Sequence, residues 1–325
     1  MKAIKPYTQI FNDFNGQDAL KKIEACGRVC YKSEGKIEED SAEKFVAGLI
    51  KRGHEAMLEH ASFIFELPRW LYNDIVWWIN ELETKGDFTS FLRFTNDSRF
   101  IISGNVRAWR SLFKVCDCVV SKLPKIFEKF VKENPILFPE FQNIPFEGTN
   151  EHIKQLKVAD LVTENEKLTH WDVTVKFVVD RGISHELVRH RLASFAQEST
   201  RYCNYAQDKF GKEITYIIPN CLNYKSEAWN VWKEAMKACE DAYFKLLDIG
   251  LLPQEARAVL PNSLKTEVVM TSNLAEWHHF FNLRAANKTG KAHPQMLEVT
   301  RPLLDDLKEL IPVVFDDITC ENGGD

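Results

Sequence analysis

The feature that most constrains the fold is an alternating segment near the middle of the chain. In VTVKFVVDRG (173–182), apolar side chains occupy every second position: Val173, Val175, Phe177 and Val179. Because successive side chains of a strand point to opposite faces, this spacing predicts a strand with one buried face. Asp180 to Gly182 are predicted to form the turn that ends it. Such a strand needs neighbouring strands and a layer that covers its apolar face.

Helical periodicity occurs on both sides of this strand. Residues 38–53 and 226–250 carry apolar side chains along one face and end at a glycine, so both are predicted to be amphipathic helices. Further helices are predicted over 183–195, 253–260 and 274–285, and from Pro294 onward. Pro302 is expected to kink the last helix or divide it.

The remaining patterns predict two strands and an insertion. Alternation predicts strands within 61–68 and 214–219. The insertion, at about 70–170, is predicted to hold a helix over 70–82, a strand, a Gly104–Asn105 turn and a helix over 99–113, a helix stopped by Pro135, and a polar loop over 142–170. We therefore predict an α+β fold, a single domain over 1–325 with a mixed central sheet flanked by helices and with a helical insertion.

Composition excludes several classes of protein. The 325 residues are 45% hydrophobic, which suffices for a large core, and the net charge of −5 argues against a nucleic-acid binder. Eight cysteines contain no C-x-x-C pair, so no zinc ribbon or thioredoxin motif is predicted. The start lacks the apolar core of a secretory signal, and no window of 18 apolar residues could span a membrane. We expect a cytoplasmic protein with reduced thiols and without a membrane or nucleic-acid partner.

Several arginines lie in apolar sequence with little acid nearby. The segment RHRLASFAQESTRY (189–202) contains three of them, and two more lie in QEARAVLP and FFNLRAAN; they are Arg189, Arg191, Arg201, Arg257 and Arg284. Since arginine is rarely buried unpaired, either distant acids or a bound anion must neutralise them. Ordinary ion pairs explain any single one. The five together, with hydroxyl and amide donors at Ser194, Gln197, Ser199 and Thr200, favour a phosphate-rich ligand.

Nucleophile and metal motifs are weak in this sequence. Ser199 lacks a G-x-S-x-G elbow, and the nearest histidine along the chain is nine residues away at His190, so a phosphate-binding hydroxyl is the better interpretation. GHEAMLEH (53–60) has its second histidine at i+6, which excludes a zincin and leaves either polar helix caps or a ligand-facing loop. His278 and His279 have no evident third ligand, so no metal site is predicted.

The triplet Arg189-His190-Arg191, seven further residues and Ser199 resemble the signature of flavin-dependent thymidylate synthases. Three more segments resemble that family in the same order: GHEAMLEH, the EARAVLP run, and SNLAEWHHFFNLR followed by AHPQM. The resemblance implies a homotetramer of mixed α/β protomers, with active sites between subunits that hold FAD without a Rossmann loop. It implies conversion of dUMP to dTMP, with methylenetetrahydrofolate as carbon donor and NADPH as reductant of the flavin.

The resemblance also assigns residues, position by position. FAD contacts are implied for Ala56, Glu59, Arg189, His190, Arg191, Gln197, Asn273 and His279. Contacts with dUMP are implied for Glu186, Arg189, Gln197, Glu198, Ser199, Thr200, Arg201, Arg257 and Arg284. Arg284 falls where the family places the residue that polarises the uracil ring, so no protein nucleophile is required.

Some positions depart from the family pattern. Ala196 and His279 each replace a frequent asparagine, and Gln197 replaces a frequent glutamate. Ala275 replaces a basic residue. Ala56 and Cys30 occupy flavin-contact positions that often carry a hydroxyl. These changes affect details of flavin contact and leave the arginines in place.

Two rival interpretations stay open at this point. One is thymidylate synthesis by a cysteine nucleophile, for which Cys221 in IIPNCLNY is the candidate, although it lacks a neighbouring histidine. The other is a non-catalytic nucleotide- or RNA-binding protein that uses the arginine-rich segment. The acidic net charge and the absence of RGG or RNP-like aromatic spacing argue against it.

Overall fold

The computed structural model describes residues 1–11, 18–84, 92–120, 123–148, 153–207 and 211–320. The strands are β1 (Lys2–Ile4), β2 (Tyr7–Ile10), β3 (Ser62–Leu67), β4 (Arg93–Asn96), β5 (Phe100–Asn105), β6 (Leu123–Pro124), β7 (Phe146–Glu147), β8 (Lys154–Leu156), β9 (Asp172–Asp180), β10 (Ser194–Gln197), β11 (Thr215–Ile217) and β12 (Lys265–Asn273). The helices are α1 (Ala19–Tyr31), α2 (Ser41–Lys51), α3 (Tyr72–Thr84), α4 (Val106–Val120), α5 (Glu128–Glu133), α6 (Glu164–His170), α7 (Arg181–Leu187), α8 (Glu227–Asp248), α9 (Pro253–Ala256), α10 (Leu274–Arg284) and α11 (Pro294–Leu310).

The alternating segment forms the middle of a central sheet. Strand β9 lies between β12 and β2, and the strand order is β10-β12-β9-β2. Val173, Val175, Phe177 and Val179 are buried against α10 and α11, which confirms the predicted apolar face. Helix α1 covers the other face, where Cys26 and Val29 pack on the sheet. All pairings in this sheet are antiparallel, so the expectation of a mixed central sheet was wrong.

The end of β9 is a helix start and not a turn. Asp180 accepts a hydrogen bond from the backbone N of Ile183 at 2.7 Å and caps α7. Helix α7 ends at Leu187, well before the predicted end at residue 195, because Ser194–Gln197 pairs with β12 as the edge strand β10. The Arg-His-Arg triplet therefore lies in the connection just beyond the helix.

The region 70–170 is not a purely helical insertion. It contributes β4, β5 and β8 to a second antiparallel sheet of order β4-β5-β3-β8. Gly104 and Asn105 end strand β5, where a turn was predicted, and the Asn105 side chain caps α4 by accepting from Ala108 N at 2.8 Å. The predicted loop over 142–170 contains β7, β8 and α6. The helix before Pro135 is α5, which ends at Glu133 as expected.

The other predicted elements have the following outcomes. The strands within 61–68 and 214–219 and the helices within 38–53 and 226–250 are confirmed as β3, β11, α2 and α8. Helix α11 runs through Pro302 as one element, so the predicted division did not occur. The combination of helices with antiparallel sheets confirms the α+β class. Across the described residues, no helix combines the length and apolar character needed to cross a bilayer.

Candidate active site

The predicted functional residues lie at the two ends of one short strand. The connection with Arg189, His190 and Arg191 leads into β10, and Ser199–Arg201 follows it. The first and last residues of a four-residue strand are about 10 Å apart. The strand therefore holds two groups of polar side chains at a separation comparable with the length of a nucleotide.

The first group surrounds Arg284, at the end of α10. Its Nη1 atom lies 2.8 Å from Oε2 of Glu186, and its Nε donates to Nε2 of His190 at 3.3 Å. A distant acid therefore balances the charge of Arg284. Of the two alternatives left open for these arginines, a distant acid and a bound anion, Arg284 has the acid, because the chain places α7 beside the end of α10.

His190 is held from both sides of its ring. Because Arg284 donates to Nε2, the neutral ring carries its proton on Nδ1, which lies 3.4 Å from Oε1 of Glu276. His279 lies close by, and one ligand atom from each of His190, Glu276 and His279 lies within 4.8 Å of the others. A metal would have to displace the Nδ1 proton and break the bond from Arg284. We therefore regard these residues as a hydrogen-bonded unit that orients Arg284.

The second group follows β10. Arg257 Nη1 donates to Oγ1 of Thr200 at 3.1 Å, and Arg201 Nε donates to Gln254 at 3.1 Å. The Oγ of Ser199 accepts from the backbone N of Arg201 at 3.3 Å. Within the described parts of the chain, no carboxylate lies within 4.0 Å of either guanidinium group. Two exposed cations and two hydroxyls thus share one region, and such a set of donors suits a phosphate.

Arg189 and Arg191 extend into solvent from the connection before β10. Neither forms an ion pair with any of the described residues. With Arg201 and Arg257, they make four of the five arginines available to a bound anion.

A narrow cleft contains two of the implied flavin residues, Glu59 and Asn273, beside Ser194. Glu59 accepts from Ser194 Oγ at 2.9 Å and from Arg107 Nη1 at 2.5 Å. Asn273 caps α10, donating to Thr169 O and accepting from Glu276 N. Ala56 is exposed on the same short helix as Glu59, Glu55–His60. These interactions hold Glu59 and Asn273 in fixed orientations at one wall.

Two implied ligand residues point into the protein. Glu198 is buried and lies 2.8 Å from the ammonium of Lys265. Gln197 donates to Ser184 Oγ at 3.0 Å and to Thr266 Oγ1 at 3.2 Å. The Glu198 carboxylate is therefore directed toward Lys265, and the implied contact of Glu198 with dUMP stays a prediction. The neighbouring Cys30, a flavin-contact position in the family pattern, is mostly buried, which raises its thiol pKa to about 11.

A family model described as "Thymidylate synthase complementing protein" matches residues 13–76 and 150–313, which is most of the chain. The chain belongs to this family. The match omits 77–149, which falls inside the predicted insertion.

Relatives in the family carry the name flavin-dependent thymidylate synthase. The protein of Geobacter sulfurreducens is 35% identical over 153 residues, covering 45% of this chain and 63% of its own length. That of Pyrococcus abyssi is 34% identical over 137 residues, 41% of this chain and 54% of its own length. That of Sulfolobus acidocaldarius is 32% identical over 182 residues, 52% of this chain and 65% of its own length. The chain thus spans between half and two thirds of the length of these relatives.

A solved structure also aligns along most of the chain. It is the UMP/dUMP methylase PolB of Streptomyces cacaoi bound with 5-Br dUMP, at 14% identity and a TM-score of 0.42, covering 97% of this chain and 95% of that one. A likeness this weak supports no statement about fold or ligand.

Sequence reasoning missed two members of the site and one pairing within it. Glu276 was not singled out because it follows the N-cap Asn273 by three residues, where a glutamate usually serves the helix cap. Arg181 lies against Thr266 and the carbonyl of Glu198, both at 3.4 Å, and was assigned to a turn. The pairing of Glu186 with Arg284 joins residues 98 positions apart. Of these features, only the position of Glu276 on the predicted helix over 274–285 could have been noticed in the sequence. Its contact with His190 could not.

Proposed function

We propose that this chain is an FAD-dependent thymidylate synthase that converts dUMP to dTMP, with methylenetetrahydrofolate as carbon donor and NADPH as reductant. The names of the relatives support the reaction class. The observation that carries the proposal is the set of four arginines without a carboxylate partner among the described residues: Arg189, Arg191, Arg201 and Arg257. A nucleotide and a dinucleotide supply the anions that this set lacks.

The proposed dUMP position follows β10. Its phosphate would lie at the second group, where Ser199, Thr200, Arg201 and Arg257 present hydroxyl and guanidinium donors. Its uracil would then lie toward Arg284 and Glu186, beyond the other end of the strand. The carboxylate of Glu198 is left out of these contacts because Lys265 binds it in the interior.

The residues before β10 fit an FAD. Arg189 and Arg191 are exposed cations suited to its diphosphate, while Asn273 and Glu59 offer an amide and a carboxylate in the adjacent cleft. The imidazole rings of His190 and His279 lie near each other, with their centroids 6.2 Å apart. A bound flavin would supply the hydride for the methylation, a step for which protein side chains have no equivalent.

Arg284 is the catalytic residue of the proposal. Glu186 and His190 hold its guanidinium in a fixed orientation before substrate binds, so little reorganisation is needed when negative charge develops on the uracil ring. The Glu186 carboxylate reduces the net field at the ring, and the remaining polarisation would come from the N–H bonds of Nη1 and Nη2 that Glu186 does not occupy. The proposal assigns no protein nucleophile, which agrees with Ser199, whose Oγ accepts a hydrogen bond from the backbone N of Arg201 and has no histidine hydrogen-bonded to it among the described residues.

The cleft beside Glu59 and Asn273 does not by itself hold a flavin. The cleft at Glu59 and Asn273 has a volume of about 10 Å³, far below the several hundred Å³ of a cofactor site. The proposal therefore includes a homotetramer in which another subunit completes each site, and a cytoplasmic location.

Two experiments test the function. Expression of the chain in a thymidine-requiring bacterium should restore growth without thymidine, and the purified protein with FAD, NADPH, methylenetetrahydrofolate and dUMP should form dTMP. Arg52→Ala, at an exposed arginine after α2, is the control and should rescue equally. A well-expressed wild-type chain that neither rescues growth nor forms dTMP would contradict the proposal.

A further inference from the structure

A cavity of about 510 Å³ lies between the central sheet and the second sheet. The start of α1, the start of β9 and the β3–β8 side of the second sheet enclose it. Apolar side chains make up somewhat more than half of its walls, with Phe63, Ile64, Leu156, Trp171 and Val173 among them, and the rest is polar or charged. A cavity of this size with both apolar and polar walls has the general character of a small-molecule site.

Three lysines line this cavity: Lys22, Lys157 and Lys167. Nowhere in the described part of the chain does a carboxylate lie within 4.0 Å of any of the three ammonium groups. The two acids at the cavity are already engaged. Asp172 receives both Nη atoms of Arg93, at 2.7 and 2.8 Å, and Asp18 caps α1 and pairs with Lys21. The cavity therefore holds uncompensated positive charge.

Lys22 faces this cavity from α1 with a half-buried side chain. Desolvation lowers the pKa of its ammonium group, opposed by the attraction of Cys26 and Asp172. An ammonium group that is partly removed from water gains from a hydrogen-bonding anion, and no described carboxylate within 4.0 Å supplies one. The adjacent Lys21 differs in every respect, because it is exposed and pairs with Asp18 at 3.5 Å.

We propose that the cavity binds a small organic anion with an apolar or aromatic body, whose acidic group pairs with Lys22. The apolar walls would take the body of the ligand, and Lys157 and Lys167 would add to the attraction. The ligand would bind beside the candidate active site, because Ser62 and Asp172 line both this cavity and the cleft of Glu59 and Asn273. This proposal does not depend on the proposed function.

Two fluorescent probes that differ only in charge test the proposal with the full chain. Anilinonaphthalene sulfonate carries an anionic group, and N-phenylnaphthylamine has the same aromatic skeleton without it. Lys22→Met should weaken binding of the sulfonate about tenfold or more, which corresponds to one lost charge-assisted hydrogen bond, and should leave binding of the neutral probe unchanged. Lys21→Met is the matched control and should bind both probes as the wild type does.

The location is tested by a variant that fills the cavity. Val158→Trp places a large side chain on the lining and should reduce binding of both probes. Equal sulfonate binding by the wild type and Lys22→Met would overturn the proposal. An equal loss of both probes in Lys22→Met, or undiminished binding of both in Val158→Trp, would overturn it as well. If Lys22→Met does not fold, Lys22→Gln replaces it with the same expectations.

Discussion

Arg284 carries a charge that Glu186 already balances before any ligand binds. The pair is partly exposed, so its contribution to stability is small, and its main effect is to fix the direction of the guanidinium group. His190 adds a second restraint, itself held by Glu276. This arrangement favours orientation over field strength, since an unpaired arginine would attract an anion more strongly but would be free to move.

Replacing Arg284 should separate catalysis from flavin binding. Arg284→Ala is expected to lower turnover about 100-fold or more, the usual cost of removing a donor that stabilises developing charge, while FAD stays bound. Arg284→Lys keeps the charge but not the planar donors and should recover only part of the rate. Steady-state rates and flavin content measure the two effects. Unchanged turnover in Arg284→Ala would remove this residue from catalysis.

Ser199 gives a second test at the same scale. Its Oγ accepts from the backbone of Arg201, and among the residues described no histidine hydrogen-bonds to it. Ser199→Ala should weaken dUMP binding by about tenfold, one hydrogen bond to a charged group, and leave measurable turnover. Isothermal titration with dUMP and the rate at saturating dUMP distinguish binding from chemistry. Complete loss of turnover with normal dUMP affinity would restore the nucleophile hypothesis.

At the scale of elements, the local sequence pattern predicted strands and helices correctly where the apolar residues lie on one face of the element. Strand β9 and helix α8 have clear periods, and both form as predicted. The helix predicted over 183–195 is wrong at its end, because the last part of this segment pairs with β12 as strand β10. The residues there suit a helix, and nothing in the neighbouring sequence indicates the hydrogen bonds to β12. Tertiary pairing overrode propensity there.

The misread region 142–170 shows a related limit. Its polar composition suggested a surface loop, yet Glu166 and His170 are buried. Glu166 is bound by Arg99 at 2.7 Å, and His170 lies between Ser103 and Thr95. Polar residues become buried when partners from distant strands satisfy them, and those partners cannot be identified from neighbouring sequence.

Strand β12 contains an acid whose ionisation should contribute to stability. Burial opposes the charge on Glu267, but Lys265 and Lys32 outweigh it and lower the pKa of this carboxyl from 4.5 to about 2. A depressed pKa stabilises the fold at pH values above 4.5, and this stabilisation is lost as the pH falls toward 2.

Glu267→Gln should therefore lower the free energy of unfolding at pH 7 by up to about 3 kcal/mol, from about 1.4 kcal/mol per pKa unit. The difference from the wild type should shrink between pH 4.5 and 2. Urea unfolding at a series of pH values measures it. Glu234→Gln, at an exposed acid on α8, should change stability by less than about 0.5 kcal/mol. A difference that is constant with pH would contradict the assignment.

At the scale of the whole molecule, the insertion shares its core with the rest of the chain. Phe130 of α5 lies with its ring centroid 4.8 Å from those of Phe63 and Phe65 on β3. The same cluster includes Ile23 of α1 and Val46 of α2. A unit packed in this way should not unfold separately.

Phe130→Ala should lower the stability of the entire chain by about 3–5 kcal/mol, the usual cost of removing a buried phenylalanine. Calorimetry should show one transition at a lower temperature. Phe94→Ala, at an exposed position of β4, serves as the control and should have a much smaller effect. Loss of a separate minor transition, with the main one unchanged, would show that the insertion is an independent unit.

The candidate site was predictable in its residue types and less so in its contacts. Arg189, Arg191, Arg201 and Arg257 are available as the sequence suggested, because few acids lie near them in either sequence or space. The Glu186–Arg284 pair and the inward Glu198 depend on how α7, α10 and β12 pack together, which the sequence does not specify locally. The resemblance identified the sequence positions of the candidate site, and the fold determines which side chains at those positions are available to a ligand.

The most direct measurement is the visible spectrum of the purified 325-residue chain, with and without dUMP. The account predicts a yellow protein with flavin bands, whose flavin fluorescence or absorption changes when dUMP is added. Arg257→Ala should keep the flavin bands and require much more dUMP for the same change. A colourless protein that takes up no added FAD, or a flavin signal that dUMP does not alter in the wild type, would contradict the account.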